Sequence, residues 1–244
     1  MIQVNDLHKY FGEVKAVSGV SFSAADGQIT GLLGPNGAGK TTTLRILYTL
    51  LEPDRGEACV DGFSCHSQKL EVQRLIGVLP ENHGLYPRLT ARENIRYYGR
   101  LQGLKGEILE QRIDQMVRLL EMQDIQNRRT EGFSSGQRVK VAIARALVHQ
   151  PQNILLDEPT NGLDVMSTRS MRTFIRRLAE EGKCVLFSSH IMQEVSALCD
   201  QIVIINKGQE IACGTPEELV QATGQTNLED AFVAYIGSEE GLVR

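Results

Sequence analysis

The residues Gly34-Pro35-Asn36-Gly37-Ala38-Gly39-Lys40-Thr41 fit the pattern G-x-x-x-x-G-K-S/T without a mismatch. Glycines let a backbone curl until successive N–H groups point inward, where they can hold phosphate oxygens. A helix starting directly after such a loop aims the positive end of its dipole at the same anion. Lys40 can then reach β- and γ-phosphates, and the Thr41 hydroxyl can ligate Mg²⁺. A second group stands at Ile154-Leu155-Leu156-Asp157-Glu158, two carboxylates directly after an apolar run. Open α/β sheets bind ligands beyond the carboxyl ends of their strands, so Asp157 can hold Mg²⁺ there, directly or through water. Glu158 can orient and deprotonate an attacking water. A nucleoside triphosphate with Mg²⁺ is the ligand these residues together predict.

Those residues need elements to position them. Gln28 to Leu33 follows the Asp26-Gly27 turn and reads as the strand before the loop, with a helix from Lys40 to about Leu51 after it. Met1 to Leu7 and Val17 to Phe22 read as earlier strands. Thr90 with Glu93 three residues later is a capping box and predicts a helix start. Leu109, Ile113, Met116, Val117 and Leu120 recur at helical spacing, as do Val139, Ala142, Ile143, Ala146 and Leu147. The chain is therefore expected to be helical from about Thr90 to His149. Beyond it, Asn153 to Leu156, Cys184 to Phe187 and Gln201 to Ile205 are short apolar strands. Met171, Phe174, Ile175 and Leu178 mark a helix between them, and Thr215-Pro216-Glu217-Glu218 opens another. Such alternation implies a mostly parallel sheet covered on both faces. The expected architecture is an α/β core with an inserted helical lobe.

The 244 residues suffice for a sizeable core, and 41% hydrophobic with 23% charged residues excludes wholesale disorder. There are 26 basic and 30 acidic residues, a net charge of −4, which argues against a dedicated nucleic-acid binder. No run approaches the roughly 20 apolar residues that span a bilayer. The first residues lack the basic and apolar regions of a signal peptide, so a cytoplasmic location is expected. The five cysteines, Cys59, Cys65, Cys184, Cys199 and Cys213, are scattered without a C-x-x-C pair and predict reduced, mostly packed thiols.

Three further segments are distinctive: Phe133-Ser134-Ser135-Gly136-Gln137, then Asp157-Glu158-Pro159-Thr160-Asn161-Gly162-Leu163-Asp164, then Ser188-Ser189-His190. With the phosphate loop, and in this order, they resemble the motifs of ATP-binding cassette (ABC) ATPases, from Leu7 to about Gly237. The resemblance implies one cassette over residues 1–244, a P-loop fold with an N-terminal antiparallel β part and a helical lobe inserted at about 82–150. It implies that ATP is held by Gly34 to Thr41 with Thr42, that Phe11 stacks on adenine, and that Glu158 and His190 are the catalytic carboxylate and the γ-phosphate sensor. It further implies that Ser134, Gly136 and Gln137 contact the ATP of a second copy, so that two chains sandwich the nucleotide. The start of a helix with free N–H groups suits such an anion contact. Two positions depart from the pattern. Ser135 stands where the family usually has glycine. Glu81 in Leu79-Pro80-Glu81 replaces a glutamine that touches Mg²⁺ and the membrane partner; as an oxygen ligand it is expected to keep the metal role beside Thr41 and Asp157.

The resemblance also implies a purpose. One cassette without fused spans is similar to a separate transporter subunit, peripheral on the inner membrane face through a transmembrane permease. Asn227-Leu228-Glu229-Asp230-Ala231-Phe232 resembles the closing helix of exporter cassettes. Glu81 with Gly84-Leu85-Tyr86-Pro87 resembles the sodium-exporter (NatA-like) branch, which suggests Na⁺, a drug or a lipid as cargo. Arg92, Arg96 and Arg100 with Tyr97 and Tyr98 form a basic helix face that can meet partner loops or anionic headgroups, or can be an ordinary solvated face. The same face is the sole sequence support for the alternative, a soluble ABC ATPase remodelling a nucleic-acid or ribosomal complex.

Overall fold

The computed structural model describes residues 1–240 of the chain. It opens with a hairpin, β1 (Ile2–Phe11) and β2 (Val14–Ala24), followed by β3 (Ile29–Leu33) and α1 (Lys40–Leu47). Next come β4 (Arg55–Val60), β5 (Phe63–Ser64), α2 (Lys69–Leu75) and β6 (Ile76–Leu79). Three helices follow, α3 (Ala91–Leu101), α4 (Gly106–Leu119) and α5 (Ser135–Leu147). The rest alternates: β7 (Asn153–Asp157), α6 (Val165–Glu180), β8 (Cys184–Ser189), α7 (Met192–Leu198), β9 (Gln201–Asn206), β10 (Gln209–Gly214), α8 (Pro216–Thr223) and α9 (Leu228–Glu240).

The strands form an antiparallel sheet ordered β2-β1-β4-β5 and a larger sheet ordered β10-β9-β3-β8-β7-β6, parallel except for β10. Alternate residues of the central strands enter two different cores. Leu33, Ile154, Leu156, Phe187 and Ile204 face one apolar cluster with α5, α6 and α7. Leu32, Leu155, Leu186, Val203 and Ile205 face another with α1 and the antiparallel sheet. Period-two alternation on strands buried on both sides explains why they read as continuous apolar runs.

The capping box expected at Thr90 is present, with Thr90 accepting from the Glu93 N–H, and the helix start expected at Thr215 is also a capping box, with Thr215 accepting from the Glu218 N–H. A third, at Ser134 and Gln137, opens α5. Strand β1 runs four residues past Leu7, because register shifts and a positive φ at Asp6 interrupt the alternation that sequence reading follows.

The arginine face on α3 is not free. Arg96 forms a two-pronged contact with Glu110 of α4, its Nε donating at 2.7 Å and its Nη2 at 2.9 Å. Arg92 donates to Glu110 at 2.9 Å, to Asp114 at 2.6 Å and to Gln126 at 3.1 Å. The arginine hydrogen bonds hold the Glu110 carboxyl at about 2. Two of the three arginines thus clamp α3 to α4, and the support they gave to a nucleic-acid surface falls away. All five cysteines are free; Cys65, Cys184 and Cys199 are buried, Cys59 is half-buried and Cys213 exposed. Among the described residues, no helix is long and apolar enough to cross a membrane.

Candidate functional site

The ends of three neighbouring strands, β3, β8 and β7, bring the chemical groups together. The loop from Gly34 to Gly39 leaves β3 and enters α1. Gly34 has no room for a side chain, since a Cβ there would lie 2.1 Å from the carbonyl oxygen of Ile205. Gly39 has φ 108° and caps α1 without a side-chain bond, leaving the first N–H groups of that helix directed at the loop. Lys40 is 5% exposed and folds back over the curl, donating to the carbonyls of Gly34 at 2.7 Å and Pro35 at 3.2 Å. Its ammonium is 3.6 Å from Glu158 Oε1.

Thr41 donates to Asp157 Oδ1 at 3.2 Å. Ser188, at the end of β8, donates to the same oxygen at 2.6 Å and accepts the N–H of Glu158 at 3.1 Å. Glu158 itself has φ 49°, a left-handed conformation that costs a non-glycine residue roughly 1–2 kcal/mol. The conformation turns its carboxylate toward His190, whose Nδ1 lies 3.0 Å from Glu158 Oε2. A cleft of about 520 Å³ joins Asn36 to Thr42, Glu81, Glu158 and His190.

The hard oxygens of Thr41 and Asp157, already within hydrogen-bond distance, suit Mg²⁺, which takes one or two protein ligands and completes its shell from phosphate and water. Among the described residues no group of three or more His, Cys, Asp or Glu could enclose a metal by itself. Glu81 follows β6 and lines the cleft.

Other sequence-predicted residues stand apart. Ser134, Gly136 and Gln137 line a separate groove with Leu163, Met166 and Ser167, so one chain does not bring them to its own phosphate loop. Ser135 accepts from Arg138 Nη2 at 3.3 Å. Phe11, 49% exposed at the end of β1, lies outside the cleft lining, and Lys9 Nζ sits 5.7 Å from its ring.

The structure adds residues that sequence reading missed. Lys15 and Lys207 supply positive charge to the cleft, and Asn161 lines it. Arg145 of α5 is 6% exposed, and burial lowers its pKa. It donates to the carbonyls of His83 at 2.6 Å and Gly84 at 3.1 Å and lies 4.3 Å from the Tyr98 ring. It thereby fastens the loop that carries Glu81 to the helix that begins at Ser135. Its one sequence signal is an arginine interrupting the small and apolar run from Val141 to Leu147.

A glycine-rich phosphate loop, carboxylates two strands away and a histidine directly after the strand between define a P-loop nucleoside triphosphatase. The comparisons specify which. Residues 17–161 match the family model described as ABC transporter. The chain is 47% identical over 241 residues to the ABC transporter ATP-binding protein NatA of Bacillus subtilis (strain 168), covering 97% of this chain and 98% of that one. It is 36% identical over 236 residues to the linearmycin resistance ATP-binding protein LnrL of the same organism, covering 97% and 76%. A solved ATP-binding subunit of an ABC transporter superposes with a TM-score of 0.89 at 27% identity, covering 97% and 99%. The dimeric cassette MJ0796, in a post-hydrolysis state with ADP and Pi, gives 0.80 at 27% identity, covering 88% and 98%. The chain belongs to the ABC transporter family and is an ATP-binding cassette ATPase of the NatA-like branch.

Proposed function

We propose that the chain is the ATP-hydrolysing subunit of a membrane exporter, working as one cassette with the helices between 82 and 150 as an inserted lobe. The observation that carries this reading is the meeting of Lys40, Glu158 and His190 in one cleft beside the phosphate loop. The loop N–H groups and Lys40 hold the triphosphate. Glu158 orients a water in line with the γ-phosphorus and takes its proton as the bond to the β-phosphate oxygen breaks. His190, oriented by Glu158, donates to the γ-phosphate. Thr41 and Asp157, with Glu81 at the cleft wall, would hold Mg²⁺, which neutralises phosphate charge when bound.

The groove at Ser134, Gly136 and Gln137 fits the role of contributing to the nucleotide of a second chain, since it is separate from the cleft at its own phosphate loop. The solved dimeric relative supports an ATP-sandwiched homodimer. Phe11, exposed at the hairpin end, is assigned to adenine. A transmembrane permease is the partner, which places the chain at the cytoplasmic face of the membrane. The cargo is Na⁺, a drug or a lipid, in keeping with relatives named for linearmycin resistance and Nod factor export.

Glu158→Gln tests the core of the reading. Loss of general-base help lowers phosphate release about 10²- to 10⁴-fold while ATP binding persists, and light scattering with Mg-ATP shows a dimer. Wild-type hydrolysis by this variant refutes the assignment of Glu158. Unchanged ATPase rate and Mg²⁺ dependence in Glu81→Ala refutes the metal role of Glu81. Membrane sedimentation that does not depend on a co-expressed permease refutes the partner.

A further inference from the structure

Beyond the cleft lies a buried carboxylate that hydrolysis as described does not use. Glu194, in the first turn of α7, is 3% exposed. An ionised carboxylate is buried only where it is well partnered, and its partners here come from the two segments that carry Glu158 and His190. Its Oε2 accepts a hydrogen bond from the Thr160 hydroxyl and another from the Ser189 hydroxyl at 3.3 Å. Ser189 in turn accepts the N–H of Ile191 at 3.0 Å. On its other side, Glu194 Oε1 faces Arg172 of α6 at 4.0 Å.

Thr160 is two residues after Glu158, and Ser189 directly precedes His190. From these contacts, and resting on the reading of Glu158 as general base, we infer that Glu194 is a positioning residue that sets the Glu158–His190 geometry. One oxygen pins the turn after β7 to the end of β8. Glu158 sits in a left-handed conformation that persists only where its surroundings over-determine it. Thr160 supplies that constraint from the C-terminal side, and the bond that the Glu158 N–H donates to Ser188 Oγ supplies it from the other. Release of the Glu194 contact frees the turn, and the carboxylate drifts from the 3.0 Å contact with His190.

The test compares Glu194→Ala, Glu194→Gln and Thr160→Val in the full chain, reading kcat, KM for Mg-ATP, binding of a fluorescent ADP and thermal melting. A misplacement of about 1 Å at reacting groups costs about 10²-fold, so Glu194→Ala should lose about that factor in kcat with KM and ADP affinity near wild type. Glu194→Gln keeps an acceptor oxygen for both hydroxyls and should recover most of the rate. Thr160→Val, close in size, should fall between them, and it decides the matter if Glu194→Ala does not fold. Wild-type kcat in Thr160→Val, or a rate loss matched by equal losses of ADP binding and of melting temperature, overturns the role. Glu158→Gln in the same series separates the two readings. Wild-type turnover there removes the basis of both, whereas its loss beside wild-type kcat in the Thr160 and Glu194 variants removes the role of Glu194 alone.

Discussion

Replacing Ser188 by alanine removes two buried hydrogen bonds with a single oxygen atom. Ser188 is fully buried at the end of β8. It donates to Asp157 Oδ1 at 2.6 Å and accepts the Glu158 N–H at 3.1 Å. A hydrogen bond to a charged acceptor contributes about 1.5–3 kcal/mol, and a buried N–H left without a partner costs about 1–3 kcal/mol. The two are not independent, and about 3 kcal/mol is the expected loss. For a chain of this size that corresponds to a fall of about 6–12 °C in melting temperature. Thr30 provides the contrast. Its hydroxyl is also buried but has no partner among the described residues, so Thr30→Val should be neutral or stabilise by about 1 kcal/mol. Urea unfolding of both variants, followed by circular dichroism, measures the difference. A Ser188→Ala loss below about 1 kcal/mol, or an equal loss in Thr30→Val, would refute the claim that Ser188 organises the two carboxylate positions.

Three other expectations follow from particular contacts. Gly34→Ala drives a Cβ into the Ile205 carbonyl, so ADP affinity measured by fluorescence titration should drop at least about tenfold, and wild-type affinity would contradict the geometry. Thr90→Ala removes the cap of α3 and should cost about 1 kcal/mol in urea unfolding; no change would mean that the cap is redundant. The Glu110 carboxyl is held down from 4.5 to about 2 by Arg96 and Arg92, so its stabilising effect is present above pH 4.5 and lost as pH falls toward 2. The stability gap between wild type and Glu110→Gln should close across that window, and a gap independent of pH would contradict the pairing.

The phosphate loop was legible because its backbone demands glycine at Gly34 and Gly39, and that demand is written in the residue types themselves. The capping boxes at Thr90 and Thr215 were legible for a similar reason, since both partners lie within three residues. Elements with weaker local signals were not legible. Strand β4 exposes its first three residues, and α2 buries only Val72, so neither shows a clear apolar period. The partners of Arg92 and Arg96 were hidden because Glu110 and Asp114 lie on a different helix, 14 to 22 residues away. Periodicity places a residue on a face but does not say what packs against that face. The Glu194 contacts were hidden for the same reason, as Thr160 is 34 residues distant.

The strand order also acts as a gauge. Leu33 of β3 pairs with Ser189 of β8, and Asp157 of β7 pairs with Ser188. The phosphate loop and the carboxylates therefore leave the sheet two interstrand steps apart, about 10 Å. That separation is set by backbone hydrogen bonds and is indifferent to which side chains decorate the helices. The strand in the middle ends at Ser188 and Ser189, and the Ser188 hydroxyl reaches across to Asp157 at 2.6 Å. Changes elsewhere in the chain can re-aim the helical lobe or adapt it to a new neighbour while the reactive spacing stays constant. A bulky residue at Ser188 would therefore disturb both carboxylate positions at once, since the Ser188 hydroxyl bonds Asp157 Oδ1 and the Glu158 N–H.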